Sequence, residues 1–79
     1  MTFSNALKVK INEVAKDRIA AFTDYSAKDQ RDWKTKFARE IYWAIVCEVN
    51  TPEGKELGDY LSANKAKETA RQVKLVIFN

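Results

Sequence analysis

The sequence contains no histidine, and this absence removes several common kinds of active site. Histidine is the usual general base at neutral pH, the partner of serine and cysteine nucleophiles, and the commonest metal ligand. The single cysteine, Cys47, excludes cysteine-rich zinc sites and a CxxC redox pair. The two glycines, Gly54 and Gly58, fit neither a P-loop nor a dinucleotide-binding motif. We therefore expect a non-catalytic protein with no cofactor, no metal and no small-molecule substrate.

Long apolar runs are also missing. The longest extends from Ile41 to Cys47, whereas a helix that crosses a bilayer needs about 20 mainly apolar residues. The first ten residues, MTFSNALKVK, have no continuous apolar stretch of the kind that a secretory signal requires. A lone cysteine agrees with a reducing compartment. These features predict a cytoplasmic protein that does not bind membranes.

The composition is that of an ordinary globular protein, with 46% hydrophobic and 32% charged residues. A chain of 79 residues buries only about 60% of the surface that its unfolded form exposes, which limits it to one core. We expect residues 1–79 to form a single helical domain. The predicted fold is all-α, a compact small bundle of three longer helices and one short helix around a central Trp-rich helix.

The central helix is predicted from Ala27 to about Val49, after a capping box at Ser26 and Asp29. At about 100° per residue, one broad face is apolar throughout, and it consists of Trp33, Phe37, Ala38, Ile41, Ala44, Ile45 and Val49. The opposite face is polar in the first half of the helix and apolar in the second half. Because a helix that is apolar all round is normally buried all round, neighbouring helices or a partner must cover this second half.

Three further helices are predicted, one before the central helix and two after it. The first runs from about residue 5 to 22 with Ser4 or Thr2 as its N-cap. The third and shortest runs from 52 to 61, with Thr51 as N-cap and Pro52 in the first turn. The last runs from 63 to 76 behind Ser62. Strands are the alternative for residues 6–12, where apolar and polar side chains alternate, and for 73–78, where β propensity is high.

The first predicted contact surface is apolar and aromatic. Its members are Tyr42, Trp43, Val46 and Cys47, with Leu75 and Phe78 as neighbours. Aromatic anchors in a central apolar patch are typical of protein interfaces. We expect an adaptor, inhibitor or subunit that docks this surface onto a larger protein or onto its own copy as a homodimer. The alternative is that the helices of the chain bury the patch themselves.

The second predicted contact surface is basic. Residues 40–61 hold five acidic side chains and one basic side chain, whereas residues 62–79 hold four basic and one acidic. The basic face consists of Lys65, Lys67, Arg71 and Lys74 on the last helix, extended by Arg31 and Arg39. Residues 56–73 resemble a helix-turn-helix, although Glu68 occupies an apolar position of that motif and the turn lacks glycine. Nucleic-acid binding is therefore the alternative function, and a solvated charged face is the simpler interpretation.

Overall fold

The computed structural model describes residues 3–22 and 33–78. These residues form four α-helices, α1 (Asn5–Arg18), α2 (Trp33–Val46), α3 (Pro52–Ala63) and α4 (Ala66–Phe78), with a 3-10 turn at Ile19–Phe22 after α1. No strand occurs in the described ranges, and both 6–12 and 73–78 lie in helices. The prediction of a small all-α bundle is confirmed, and α3 is the shortest of the four helices.

Two helix starts follow from side-chain caps that the sequence predicts. The Ser4 hydroxyl accepts a hydrogen bond from the Leu7 backbone N–H at 3.2 Å. The Thr51 hydroxyl accepts one from the Gly54 N–H at 3.0 Å, and Pro52 occupies the first turn. Each cap satisfies a backbone donor that has no partner within its helix, and both capping predictions are confirmed.

Other boundaries differ from the predictions. Helix α2 ends at Val46, because the Glu48 N–H bonds to the Ile45 carbonyl at 3.0 Å and Glu48 in turn accepts from the Thr51 N–H. Val49 is therefore not part of the helix. Helix α3 continues to Ala63, so Ser62 lies inside it and does not cap α4. The predicted helix start at Ala27 lies outside the described residues.

Helix α2 is the element against which the others pack. Its buried face consists of Phe37, Ala38, Ile41, Tyr42 and Ile45. Helices α1, α3 and α4 all contact α2, and α4 does so most extensively. In the part of the chain that the structure describes, no helix combines the length and the apolar content that crossing a membrane requires.

Two ion pairs show the direction of α1 relative to α2. Lys10 pairs with Glu48 and Arg18 pairs with Glu40, each at 3.3 Å. Lys10 and Arg18 are eight residues apart, as are Glu40 on α2 and Glu48 just after its end, and the order is reversed, so α1 and α2 are antiparallel. Helix α4 is antiparallel to α2 as well.

The last turn of α4 meets the first turn of α2. The Phe78 ring packs edge-on against Trp33, with centroids 5.4 Å apart, and the Lys74 ammonium lies 3.4 Å from the Thr35 hydroxyl. At the other end of the bundle, Phe3 packs edge-on against Tyr60 of α3, with centroids 4.9 Å apart. These aromatic contacts close the core at both ends.

Helix α3 crosses the end of α2 at backbone contact distance. A Cβ atom added to Gly54 would lie 2.1 Å from the Glu48 carbonyl oxygen and 2.7 Å from that of Ile45. At Gly58, one turn later, an added Cβ would meet only Val46 Cγ1, at an ordinary 4.0 Å. Glycine is required at the first position and only tolerated at the second.

The two glycines therefore predict opposite effects of alanine. Gly54→Ala should lower the free energy of unfolding by about 1 to 3 kcal/mol, because fixed backbone atoms occupy the space of the new methyl group. Gly58→Ala should raise it by up to about 1 kcal/mol, because alanine is the better helix former and meets no clash. Urea unfolding followed by circular dichroism measures both, and equal midpoints for the two variants would contradict the close crossing.

Candidate functional site

The residues predicted for the apolar surface lie in three different places. Tyr42 belongs to the core, with 1% of its surface exposed. It lies at the edge of the buried face of α2, so its inclusion in a contact surface is wrong. Its ring contacts that of Trp43, with centroids 5.3 Å apart, and therefore supports Trp43 from behind.

Trp43 and Val46 lie on the second half of α2 and Cys47 follows directly after its end, and we call these three residues the Trp43 surface. Trp43 is about 160° around the helix from both Ile41 and Ile45, which are fully buried. Its side chain therefore points away from the core, and half of its surface (50%) is exposed. Cys47 is also exposed and Val46 is half-buried. The Trp43 surface is the exposed part of the predicted patch.

Leu75 and Phe78 do not join this surface. Phe78 is half-buried and packs against Trp33 and Phe37 at the beginning of α2. Trp33 and Trp43 are ten residues apart, which corresponds to about 15 Å along the helix axis. Leu75 is exposed on α4, one turn after Arg71. Their prediction as neighbours of the patch is wrong, because α4 is antiparallel to α2 and brings its last turn to the far end.

One exposed apolar residue near the Trp43 surface was missed. Val49 has 69% of its surface exposed, although the helical period assigned it to the core face. Because α2 ends at Val46, Val49 lies in the turn that leads to α3. Thr51 and Pro52 correctly indicate a turn. The chain uses residues 47–50 to reach it, and the helical pattern wrongly includes these residues up to Val49 in α2.

The predicted basic residues of α4 line one groove. A groove of about 400 Å³ lies along α4, and its described lining consists of Lys65, Lys67, Glu68, Arg71 and Lys74, together with Thr35 from the first turn of α2. We call this the basic groove. Arg39 is exposed and lies one turn beyond Thr35 on α2. Arg31, the remaining predicted contact, lies outside the described residues.

Three carboxylates of the acidic segment contact α1 or its N-cap. Glu40 pairs with Arg18 and Glu48 with Lys10. Glu56 accepts hydrogen bonds from the backbone N–H and hydroxyl of Ser4. These carboxylates of the acidic segment therefore pair with side chains of α1 and its N-cap. The pairs do not involve the basic side chains of α4.

Within the basic groove, the Glu68 carboxylate holds Arg71 in a two-point contact. Arg71 Nε and Nη2 donate to its two oxygens at 2.9 and 2.8 Å, and Gln72 Nε2 donates at 3.1 Å. The hydrogen bonds from Arg71 and then from Gln72 lower the pKa of Glu68 from 4.5 to about 2. The same carboxylate raises the pKa of Arg71. Glu68 is therefore ionised at every physiological pH.

Residues 3–22 and 33–78 contain no group of three His, Cys, Asp or Glu side chains that could hold a metal ion. In the segment that resembles a helix-turn-helix, Asn64 and Lys65 form the turn between α3 and α4.

Comparison of the chain with protein-family models, with curated proteins and with solved structures finds no match.

The contact between Arg71 and Glu68 predicts a change in titration. Arg71→Gln should raise the pKa of Glu68 from about 2 toward 4.5, and Gln72→Ala should raise it less, because Gln72 contributes the smaller share. Carboxyl carbon chemical shifts followed by NMR from pH 1.5 to 7 measure both. Since the folded-state pKa is lowered, the stabilisation from this contact is present above pH 4.5 and is lost as the pH falls toward 2. A Glu68 pKa that Arg71→Gln leaves unchanged would contradict the assigned cause.

Proposed function

We propose that the chain is a small, non-catalytic interaction module of the cell interior that docks the Trp43 surface onto a larger protein, as an adaptor, inhibitor or subunit. One observation carries this proposal. Of the aromatic side chains that the structure describes, only Trp43 is exposed. The others are buried or half-buried in a bundle with few large residues.

The surroundings of Trp43 fit such a role. Tryptophan and arginine are the residues most enriched among those that dominate binding energy, and they act best when a rim of polar groups excludes water around them. Arg39 lies one turn before Trp43 on α2, and Glu40 lies beside it. The indole thus has charged neighbours on one side and the apolar Val46 and Cys47 on the other.

The shape of the surface favours a larger partner over a second copy. A standard interface buries roughly 800 Å² on each partner, about one seventh of the 5389 Å² surface of this chain. The Trp43 surface supplies one large anchor on the convex outer side of a helix. A second copy would present the same convex ridge, whereas a partner with an apolar pocket would receive the indole and bury it.

The proposal predicts that Trp43→Asp abolishes partner capture while the helical circular dichroism remains unchanged. The charged side chain would remove the apolar anchor and place a carboxylate in the apolar pocket of the partner. Affinity-tagged wild-type and variant chains are exposed to lysate of the native cell, and the captured proteins are compared by mass spectrometry. Light scattering over a range of concentrations separately tests association with a second copy.

Val9→Asp provides the matched control. Val9 is also apolar, helical and exposed (56%), but it lies on α1, so the substitution introduces the same charged side chain on a helix without touching the Trp43 surface. Capture that survives Trp43→Asp, or loss of the fold in Trp43→Asp but not in Val9→Asp, would overturn the proposal. In a Trp33→Phe background Trp43 is the only tryptophan, and its emission should shift to shorter wavelength when the partner binds.

A further inference from the structure

The basic groove concentrates positive charge. Its described lining has four cationic side chains, Lys65, Lys67, Arg71 and Lys74, and a single carboxylate, Glu68. Among the described residues Lys65 and Lys67 have no ion-pair partner, and the ion pairs of the bundle involve Lys10, Arg18 and Arg71. The carboxylates of Glu40, Glu48 and Glu56 contact α1 or its N-cap and not the groove. The described lining of the groove therefore carries a net positive charge.

The cations are arranged along a line. Lys67, Arg71 and Lys74 are four and seven residues apart on α4, so they share one face of the helix and extend over about 10 Å. The Lys74 ammonium is held beside the Thr35 hydroxyl at 3.4 Å, and the Lys34 ammonium lies over the Phe78 ring, 5.1 Å from its centroid, at the end of the same face. One strand of a nucleic acid rises about 3.4 Å per phosphate, so a 10 Å row spans about three phosphates.

The packing of α4 bears on whether it would contact the phosphate backbone of a nucleic acid or the edges of its bases. A recognition helix inserts into the major groove and presents several side chains to base edges. Thr69, Ala70 and Val73 of α4 are buried against the bundle, and Val76 and Ile77 are half-buried. The accessible side of α4 carries the basic side chains and, one turn after Arg71, the exposed Leu75. The described lining of the groove has no exposed apolar anchor of the kind that a protein partner uses.

We propose that the basic groove binds the phosphate backbone of nucleic acid without sequence preference, and that Glu68 competes with phosphate for Arg71. The guanidinium carries five N–H donors, of which Nε and one on Nη2 reach Glu68. Its other donors remain available to a phosphate oxygen. The carboxylate holds the guanidinium in place, but its negative charge repels an approaching phosphate. The groove is separate from the Trp43 surface, and this proposal does not depend on the proposed function.

Fluorescence anisotropy with a labelled 20-nucleotide single strand of mixed sequence, and with the matching duplex, tests the proposal on the full chain. Binding should weaken about twenty- to fortyfold between 50 and 200 mM salt for three phosphate contacts. Lys67→Gln, Arg71→Gln and Lys74→Gln should each weaken binding and reduce the salt slope by about one. Glu68→Gln should strengthen binding and steepen the slope. The probe that binds more tightly identifies the strand form, and either preference supports the proposal.

Three controls make the outcome decisive. Lys8→Gln removes an exposed lysine of α1 that does not line the groove and should leave binding unchanged. Trp43→Asp should bind nucleic acid as the wild type does, which separates this proposal from the proposed function. The Lys67 side chain makes no hydrogen bond or ion pair with the described residues, so Lys67→Gln should keep the fold. The proposal would be overturned if neither probe binds at 50 mM salt, or if the groove variants behave like Lys8→Gln. Weaker binding by Glu68→Gln would also overturn it. Polyglutamate is a polyanion without phosphate, and its binding as tightly as the nucleic-acid probes would overturn the proposal as well.

Discussion

The burial of one face of α2 is the constraint on which the rest of the structure depends. Three helices pack against α2, and five of its side chains, from Phe37 to Ile45, form the centre of the core. A helix has one such face, because side chains three and four residues apart are neighbours whereas those at intermediate positions point elsewhere. Once the face at Ile41 and Ile45 is buried, Trp43 points outward. Its exposure is a consequence of the packing arrangement and not of a local irregularity.

The direction of α1 determines the charge distribution of the surface. Because α1 is antiparallel to α2, its Lys10 and Arg18 meet Glu48 and Glu40, and its N-cap Ser4 meets Glu56. Each of these exposed contacts contributes little stability by itself. Together they direct the acidic middle of the chain toward the basic side chains of α1. The basic side chains of α4 then face a different direction, with Glu68 as the only carboxylate in the described lining of their groove.

Much of the fold could be predicted from the sequence, because helical period, caps and turn residues are local properties. The Ser4 and Thr51 caps and the buried face of α2 follow from spacing alone. The contact surfaces depend on tertiary packing, which spacing does not specify. A helical wheel gives the direction of Tyr42 but not that a neighbouring helix covers it, and it places Leu75 and Phe78 on α4 without stating which end of α2 they approach. Val49 was misassigned because the turn before Pro52 begins three residues earlier than the apolar pattern indicates.

The two surfaces differ in the interaction that would drive binding, and this difference makes them separable although they are neighbours. Arg39 lies one turn from Thr35 of the basic groove and one turn from Trp43, so about two turns of α2 separate the two surfaces. Burial of an indole is a hydrophobic contribution that salt affects little. Contacts to phosphate release counterions and weaken steeply with salt. A partner that tolerates high salt but not Trp43→Asp therefore binds the Trp43 surface, whereas one with the opposite response binds the groove, and Arg39 contributes to whichever contact extends across it.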